Sequence, residues 1–256
     1  MRTAAGVHVT VWGDGEPAVF VHGSFGWGEE TWREQRPLGE HYRLLLIDRR
    51  GFGASQPDGR VDFERDADDV ADLLGDGAHL VGHSYGGVVS LLAAAQRPEA
   101  VHSLALIEPP ALGVARGDPA VEQLIRNIEA AASATEDPAE YRALFLQGFG
   151  FPAGPVSLEG AELDAARASM TERPPWEAQI PLDALSTAGL RVLLAQGDWC
   201  PAPDSARALA GAAFGAVCDV LDQRLGATRA VFPSAHSPQR LGAMFNDRLR
   251  SFWEER

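Results

Sequence analysis

The feature that most constrains the fold is a regular alternation of short apolar runs with longer helical patterns. The apolar runs include Arg43 to Ile47, Ala78 to Val81 and Val101 to Ile107. Helical patterns such as Phe63 to Leu74 and Tyr85 to Gln96 lie between them. Short apolar runs are typical of strands that are buried on both faces, and their alternation with helices indicates parallel connections. The sequence therefore predicts an α/β fold with a doubly wound, mostly parallel sheet.

The same alternation resumes near the C-terminus. Apolar runs at Arg191 to Ala195 and Arg229 to Phe232 are followed by helical patterns at Ser205 to Leu225 and Pro238 to Trp253. At the other end of the chain, Val7 to Trp12 alternates like a strand, and glycine-rich turn residues separate it from a second apolar run, Pro17 to Val21. This N-terminal pattern predicts a β-hairpin.

Between the fifth and sixth apolar runs the strand pattern stops for about 80 residues. This stretch contains helical patterns at Pro119 to Ala132, Pro138 to Gln147 and Leu158 to Met170. We therefore expect one core domain, residues 1–110 and 189–256, with a helical cap inserted at residues 111–188.

Composition excludes several classes of function. The formal charge of −14 disfavours binding to nucleic acid. All 22 basic residues are arginine, which excludes lysine Schiff-base enzymes and Walker-type nucleotide binders. The sequence has no apolar run typical of an export signal or a membrane span, and its two cysteines suit a reducing compartment. We expect a cytoplasmic protein with no membrane partner, either a monomer or a homodimer.

The most specific motif is Leu80-Val81-Gly82-His83-Ser84-Tyr85-Gly86-Gly87, a G-x-S-x-G between an apolar run and a helical pattern. The glycines permit a strained turn that exposes the Ser84 hydroxyl at the end of a strand. The Tyr85 N–H then lies at a helix N-terminus, where it is suited to binding an oxyanion. The motif indicates a nucleophilic serine.

With these residues the chain resembles the α/β-hydrolase superfamily. Val21-His22-Gly23-Ser24-Phe25-Gly26 is similar to the HG loop of that family, which implies a second oxyanion N–H from Ser24 and a structural His22. Residues 48–55 resemble the D-x-R-G-x-G-x-S loop that shapes the floor of the site. His236 follows the last apolar run, where the family has its catalytic histidine, and the other histidines occupy positions less suited to a base.

The acidic partner of His236 has two candidates, because the chain departs from the family pattern. Most members have G-x-x-D after the sixth apolar run, whereas here Gly197-Asp198-Trp199-Cys200 has cysteine at that position. Asp198 could substitute from two residues earlier. Glu108 is the other candidate, since haloalkane dehalogenases in the same superfamily often have a Glu acid after the preceding strand. A carboxylate at the end of a buried strand needs a partner, and we favour Glu108.

The resemblance implies a hydrolase that transfers an acyl group from an ester, lactone or related carbonyl compound to water, without a metal or organic cofactor. Apolar residues in and near the cap, among them Phe25, Phe145, Phe149 and Trp176, indicate a small hydrophobic substrate, but the same side chains could instead serve to pack the cap onto the sheet. Two alternatives stay open. The same pocket could serve a lyase, cyclase or carbon–carbon hydrolase, or it could belong to a ligand-binding protein without catalysis.

Overall fold

The computed structural model describes residues 6–255, and within them seven strands form one sheet. The strands in chain order are β1 (Val9–Trp12), β2 (Glu16–Val21), β3 (Tyr42–Ile47), β4 (Ala78–His83), β5 (Val101–Ile107), β6 (Val192–Gly197) and β7 (Thr228–Phe232). Their spatial order is β1-β3-β2-β4-β5-β6-β7. The pairing of β1 with β3 is antiparallel and every other pairing in this sheet is parallel, which confirms the mostly parallel sheet.

Helices cover both faces of the sheet. The α-helices in chain order are α1 (Gly28–Thr31), α2 (Phe63–Leu73), α3 (Tyr85–Gln96), α4 (Pro119–Ala134), α5 (Pro138–Gly148), α6 (Gly160–Met170), α7 (Leu182–Ala188), α8 (Asp204–Ala206), α9 (Ala212–Leu225) and α10 (Ala243–Glu254). Alternate strand residues face opposite sides, so Val19 packs in the same core as α3 while Phe20 packs in the same core as α10. This is the doubly wound arrangement that the sequence predicts.

The predicted N-terminal hairpin is wrong. β1 and β2 are consecutive in the chain, but β3 lies between them in the sheet. The glycines of the connection serve close packing rather than a tight turn between paired strands. A Cβ atom added at Gly13 would lie 2.2 Å from the carbonyl oxygen of Tyr42, and one added at Gly15 would lie 1.9 Å from that of His41. The connection therefore crosses directly over the start of β3.

The described chain between β5 and β6 contains helices and no strand, in agreement with the expected helical insertion. The three α-helices α4, α5 and α6 each start within two residues of the predicted position. The cap bounds of 111–188 stay a prediction. One predicted helix is interrupted, because Gly242 has a φ of 58° and separates a 3-10 turn, Pro238–Leu241, from α10.

The insertion packs on the core through apolar contacts. Leu124, Ile128 and Phe149 of the insertion belong to the same buried cluster as α3 and α9. Within residues 6–255, no helix is both long and apolar enough to cross a bilayer. Met1–Ala5, which form part of the segment used to argue against an export signal, lie outside the described residues, as does Arg256.

Candidate active site

Backbone strain is concentrated at the carboxyl edge of the sheet. Among the described residues that are not glycine, four have a positive φ: Phe25, Ser84, Glu108 and Trp199, with values from 46° to 62°. Each follows one of the four neighbouring strands β2, β4, β5 and β6. Strained backbone of this kind is characteristic of functional sites, and here it marks one edge of the sheet.

Ser84 lies in the sharp turn between β4 and α3. Its φ of 52° and ψ of −127° are sterically unfavourable for a residue with a side chain. The turn fits because its neighbours are small. A Cβ atom added at Gly82 would lie 2.4 Å from the Gly86 carbonyl oxygen, and one added at Gly86 would lie 2.2 Å from that of Val21. The G-x-S-x-G glycines thus allow α3 to pack directly against the strands.

His236 lies beside Ser84, with its Nε2 atom 2.9 Å from the Ser84 hydroxyl oxygen. The imidazole packs among the rings of Phe149, Trp199 and Phe214. The His236 side chain is 23% exposed to solvent. Burial among these rings lowers the pKa of His236 to about 4, because it disfavours the charged imidazolium. A neutral imidazole next to a hydroxyl can accept its proton.

His83 fixes the loop that carries His236. Its Nε2 atom lies 2.9 Å from the backbone carbonyl oxygen of His236, which accepts the N–H. Burial lowers the pKa of His83 to about 3, so the ring stays neutral at physiological pH. The sequence pattern indicated only that His83 is an unsuitable base. The structure shows in addition that the side chain of His83 holds the backbone of His236 through this hydrogen bond.

Glu108 is fully buried and faces the other side of the His236 ring. Its Oε2 atom is 3.7 Å from His236 Nδ1, and neither atom has another hydrogen-bond partner among the described residues. Oε1 accepts a 2.7 Å hydrogen bond from the Gly197 N–H. Burial raises the pKa of Glu108 to about 8, against the opposing effects of the Gly197 N–H and the Trp199 indole N–H. A movement of less than about 1 Å would bring the two unpaired atoms into hydrogen-bond range.

Asp198 points away from this arrangement. It is exposed, and its carboxylate accepts a 2.9 Å hydrogen bond from the backbone N–H of Cys200. Of the two candidate acids, the structure therefore brings Glu108 to His236 and leaves Asp198 at the surface. Cys200 is likewise exposed.

The loop that contains Ser24 packs against the serine turn. A Cβ atom added at Gly23 would lie 2.7 Å from the Ser84 Cβ, so the two backbones are in direct contact. The Ser24 N–H has no acceptor among residues 6–255. Tyr85 is the first residue of α3, where a backbone N–H has no partner within the helix. Both predicted oxyanion donors thus flank Ser84.

A buried ion network supports this loop, and sequence reasoning missed it. Arg49 is fully buried and donates to the carbonyl oxygens of His22 and Gly23, at 3.0 and 3.1 Å. It also pairs with Asp66 at 3.0 Å and with Glu172 at 2.6 Å. Arg49 occupies the unspecified position of the D-x-R-G-x-G-x-S loop, so the motif located the loop but did not distinguish this arginine.

Glu172 links this network to the cap. It follows α6 in the insertion, and its second carboxylate oxygen accepts a 2.5 Å hydrogen bond from the Ser24 hydroxyl. Burial raises the pKa of Glu172, and the Arg49 guanidinium opposes that rise. No local pattern distinguishes Glu172 in the sequence, because its partners lie more than 100 residues away.

Two cavities meet at Ser84. The inner cavity has a volume of about 110 Å³ and is mostly apolar, and its lining includes Leu112, Leu124, Phe145, Phe149, Met170 and Trp176. The outer cavity has a volume of about 420 Å³ and contains His236, Phe25 and Phe151 together with charged residues, among them Glu30, Arg142 and Arg240. All four predicted substrate-binding residues line one or both cavities.

Comparison with protein families matches residues 18–243 to the family described as "Alpha/beta hydrolase family". The match includes the serine turn, Glu108 and His236. The chain belongs to this family.

Among curated proteins, this hydrolase is similar to the pimeloyl-[acyl-carrier protein] methyl ester esterase of Aeromonas hydrophila. The two are 38% identical over 101 residues, which are 38% of this chain and 39% of the relative. The match thus spans about two fifths of that protein.

Solved structures of similar fold cover almost the whole chain. A hydrolase from Pseudomonas aeruginosa PA01 has a TM-score of 0.67 and 22% identity, covering 100% of this chain and 97% of that one. Est816, described as an N-acyl homoserine lactone degrading enzyme, has a TM-score of 0.61 and 22% identity, with 96% of both chains covered. These likenesses confirm the fold.

Proposed function

We propose that this α/β hydrolase cleaves a carboxylic ester or lactone through an acyl-enzyme formed on Ser84. The observation that carries the proposal is the line of three side chains from Ser84 through His236 to Glu108. A 2.9 Å contact joins the serine hydroxyl to the imidazole, whose other nitrogen faces a buried carboxyl group at 3.7 Å. A hydroxyl, an imidazole and a carboxylate in this order form the catalytic triad of serine hydrolases.

In the first half-reaction His236 Nε2 takes the hydroxyl proton while Ser84 Oγ attacks the carbonyl carbon. The carbonyl oxygen becomes an oxyanion that accepts hydrogen bonds from the Ser24 and Tyr85 N–H groups. When this intermediate collapses, the bond to the leaving alcohol breaks and the alcohol takes the proton from Nε2. Water then attacks the acyl-enzyme by the same route, which releases the carboxylic acid and restores Ser84.

Glu108 acts on the reaction through His236. In its ionised form, which predominates above its pKa of about 8, it accepts a hydrogen bond from Nδ1–H, which selects the tautomer with a free lone pair on Nε2. It also stabilises the imidazolium that forms when the serine loses its proton. We assign Glu108 as the acid in preference to Asp198, because the Asp198 carboxylate is exposed and hydrogen-bonded to its own loop.

The two cavities favour a substrate with a short acyl group and a larger leaving group. The inner cavity, at about 110 Å³, is well below the size of an ordinary ligand pocket and is mostly apolar. The outer cavity is larger and contains charged side chains, so it suits a polar alcohol portion. The esterase and lactone-degrading relatives support a carboxylic ester or lactone as substrate, whereas the short acyl group and larger alcohol are inferred from the two cavities alone. We expect p-nitrophenyl butyrate to be hydrolysed with a higher kcat/KM than the octanoate.

The proposal also includes a cytoplasmic protein that acts as a monomer or homodimer, with its cap at residues 111–188 and no cofactor.

The proposed nucleophile, Ser84, is tested by labelling the protein with a small fluorophosphonate and then measuring its intact mass. Wild-type protein should gain one phosphonyl group, and Ser84→Ala should gain none. Ser234→Ala is the matched control, because Ser234 also lines the outer cavity but its hydroxyl hydrogen-bonds to the Ala235 carbonyl. Labelling of Ser84→Ala, or none of wild type, would contradict the proposal.

A further inference from the structure

A second group of histidine and carboxylate side chains lies at the amino edge of the sheet, opposite the Ser84 site. Glu16 begins β2, and His79 and His102 lie at the second positions of β4 and β5. These three strands are neighbours in the sheet. One possible ligand atom from each of the three residues lies within 4.8 Å of the others. We name Glu16, His79 and His102 the amino-edge cluster.

The distances in the amino-edge cluster are close to those around a metal ion. Glu16 Oε1 is 3.0 Å from His102 Nδ1 and 3.5 Å from His79 Nε2. Ligands of tetrahedral zinc, with bonds of about 2.0 to 2.2 Å, are about 3.3 Å apart. The two imidazole nitrogens lie within 4.8 Å of each other, so an approach of no more than about 1.5 Å between them would bring all three atoms to ligand spacing around one ion. Two imidazoles and one carboxylate are a donor set that zinc accepts, with water as fourth ligand.

His79 is held in the orientation that a ligand requires. Its Nδ1 atom is 2.8 Å from the Ser103 hydroxyl, which leaves Nε2 facing Glu16. The ring also stacks on Trp253, at 4.7 Å between centroids. A hydrogen bond to the second ring nitrogen is the usual support of a metal-binding histidine.

His102 is directed into the cluster by an irregularity of the sheet. The register between β4 and β5 shifts after the pair Ala78 and Val101, so that His79 faces Ser103 and His102 is the extra residue. Such a bulge redirects a side chain. The ring occupies space left by Gly77, where an added Cβ would lie 2.3 Å from His102 Nε2.

We propose that the amino-edge cluster binds one divalent transition-metal ion of the zinc type, which cross-links β2, β4 and β5. His102 Nδ1–H now donates to Glu16, so binding requires that this proton move to Nε2 or leave. The metal lies at the far end of the strands from Ser84 and takes no part in hydrolysis. The proposal is therefore independent of the proposed function.

The test uses chelator-treated protein without an affinity tag, titrated with Zn²⁺ by calorimetry and followed by thermal unfolding. Wild type should bind one equivalent at this site. At a Zn²⁺ concentration 100 times the Kd, its Tm should rise by about 5 to 10 °C. Glu16→Gln and His102→Ala should each weaken binding at least tenfold, and both side chains are exposed enough for the fold to tolerate the change.

His41→Ala is the matched control, since His41 is an exposed histidine that immediately precedes β3 at the same edge. It should bind Zn²⁺ like wild type. Two results would overturn the proposal. One is a wild-type protein with no saturable binding below millimolar Zn²⁺. The other is unchanged binding in both Glu16→Gln and His102→Ala, which would assign the ion to other residues, such as the exposed Cys200.

Discussion

The two edges of the sheet carry the same kinds of side chain in opposite surroundings. At the carboxyl edge, Glu108 is fully buried and faces a single imidazole, that of His236. At the amino edge, Glu16 keeps 50% of its exposure and faces the imidazoles of His79 and His102. Strands β4 and β5 contribute to both groups, from their opposite ends. The carboxylate is buried at the proposed catalytic site and half-exposed at the proposed metal site, and this is the main difference between the two groups.

Burial acts on the charged form of each group. In the apolar surroundings of the carboxyl edge, the pKa of Glu108 rises and that of His236 falls, so each group becomes more sensitive to charge on the other. Water screens the exposed carboxylate of Glu16, and its attraction to the imidazoles is correspondingly weak.

Replacing the buried acid should nearly abolish activity. Glu108→Gln keeps the size of the side chain and an acceptor for the Gly197 N–H, but it cannot stabilise the imidazolium. We expect kcat for an ester substrate to fall by about 10³- to 10⁴-fold. Asp198→Asn, an exposed carboxylate on the neighbouring loop, is the control and should stay within about threefold of wild type. A severe loss in Asp198→Asn with an active Glu108→Gln would reverse the assignment.

The same substitution should stabilise the protein at alkaline pH. Folding raises the pKa of Glu108 to about 8, so the folded state prefers its protonated form. The contribution of Glu108 to the free energy of unfolding is greatest below the pKa of an unfolded glutamate, about 4.3, and declines as the pH rises through 8. Glu108→Gln lacks this decline. Above pH 8 it should therefore be more stable than wild type by about 2 kcal/mol or more.

Urea unfolding at pH 5 and pH 8.5 measures this difference. At pH 5 the two proteins should have similar free energies of unfolding. Asp198→Asn should follow wild type at both values, because that carboxylate is exposed. If Glu108→Gln gains nothing at pH 8.5, the ionised carboxylate is already compensated within the folded protein, and a hydrogen bond to His236 Nδ1 in the resting enzyme is the available explanation.

How far the sequence predicts this site depends on how local each signal is. Ser84 could be proposed because it lies in a short motif between a strand and a helix, and His236 because it follows the last apolar run, where the family has its catalytic histidine. Glu108 could be named only as one of two candidates. The sequence reveals that an acid follows the strand, but its burial depends on how the rings of distant residues pack around it. The same limit applies to the support of the loop that contains Ser24, because Arg49 beneath it pairs with Glu172, which is 123 residues later in the chain.

Prediction of the fold from sequence is limited in the same way. The strand and helix pattern predicts the parallel sheet, because each buried strand is a continuous apolar run. It does not predict which strands are neighbours at the edge. Val9–Trp12 followed by a glycine turn is typical of a hairpin, yet β1 pairs with β3. The amino-edge cluster is similarly hidden, since its residues come from three strands and a one-residue bulge determines where His102 points.

Weakening the contact between Glu172 of the cap and the loop that contains Ser24 should reduce kcat by an intermediate amount. Glu172→Gln removes the charge that pairs with Arg49 and weakens the acceptor of the Ser24 hydroxyl. We expect kcat to fall about tenfold with little change in KM, because the Ser24 N–H binds the oxyanion more than the bound substrate. Asp66→Asn is the matched control, since it removes the other carboxylate of Arg49 but does not contact Ser24.

Both variants should lose stability, because each leaves a buried guanidinium with one charged partner fewer. Comparing kcat of Glu172→Gln with kcat of Asp66→Asn therefore separates an effect on the position of Ser24 from an effect on stability. If kcat falls equally in Asp66→Asn and Glu172→Gln at a temperature where both are folded, the contact between Glu172 and Ser24 has no separate role in the reaction.

The smallest effect is expected at the amino edge in the absence of metal. Glu16→Gln removes a half-exposed carboxylate from two imidazoles, and exposed pairs of this kind contribute between about 0 and 1 kcal/mol, less at high salt. Urea unfolding in chelator should therefore give a free energy within about 1 kcal/mol of wild type, and kcat/KM for the ester should be unchanged. A loss of activity in this variant would mean that strands β4 and β5 transmit changes from one edge to the other, and the two edges could no longer be treated as independent.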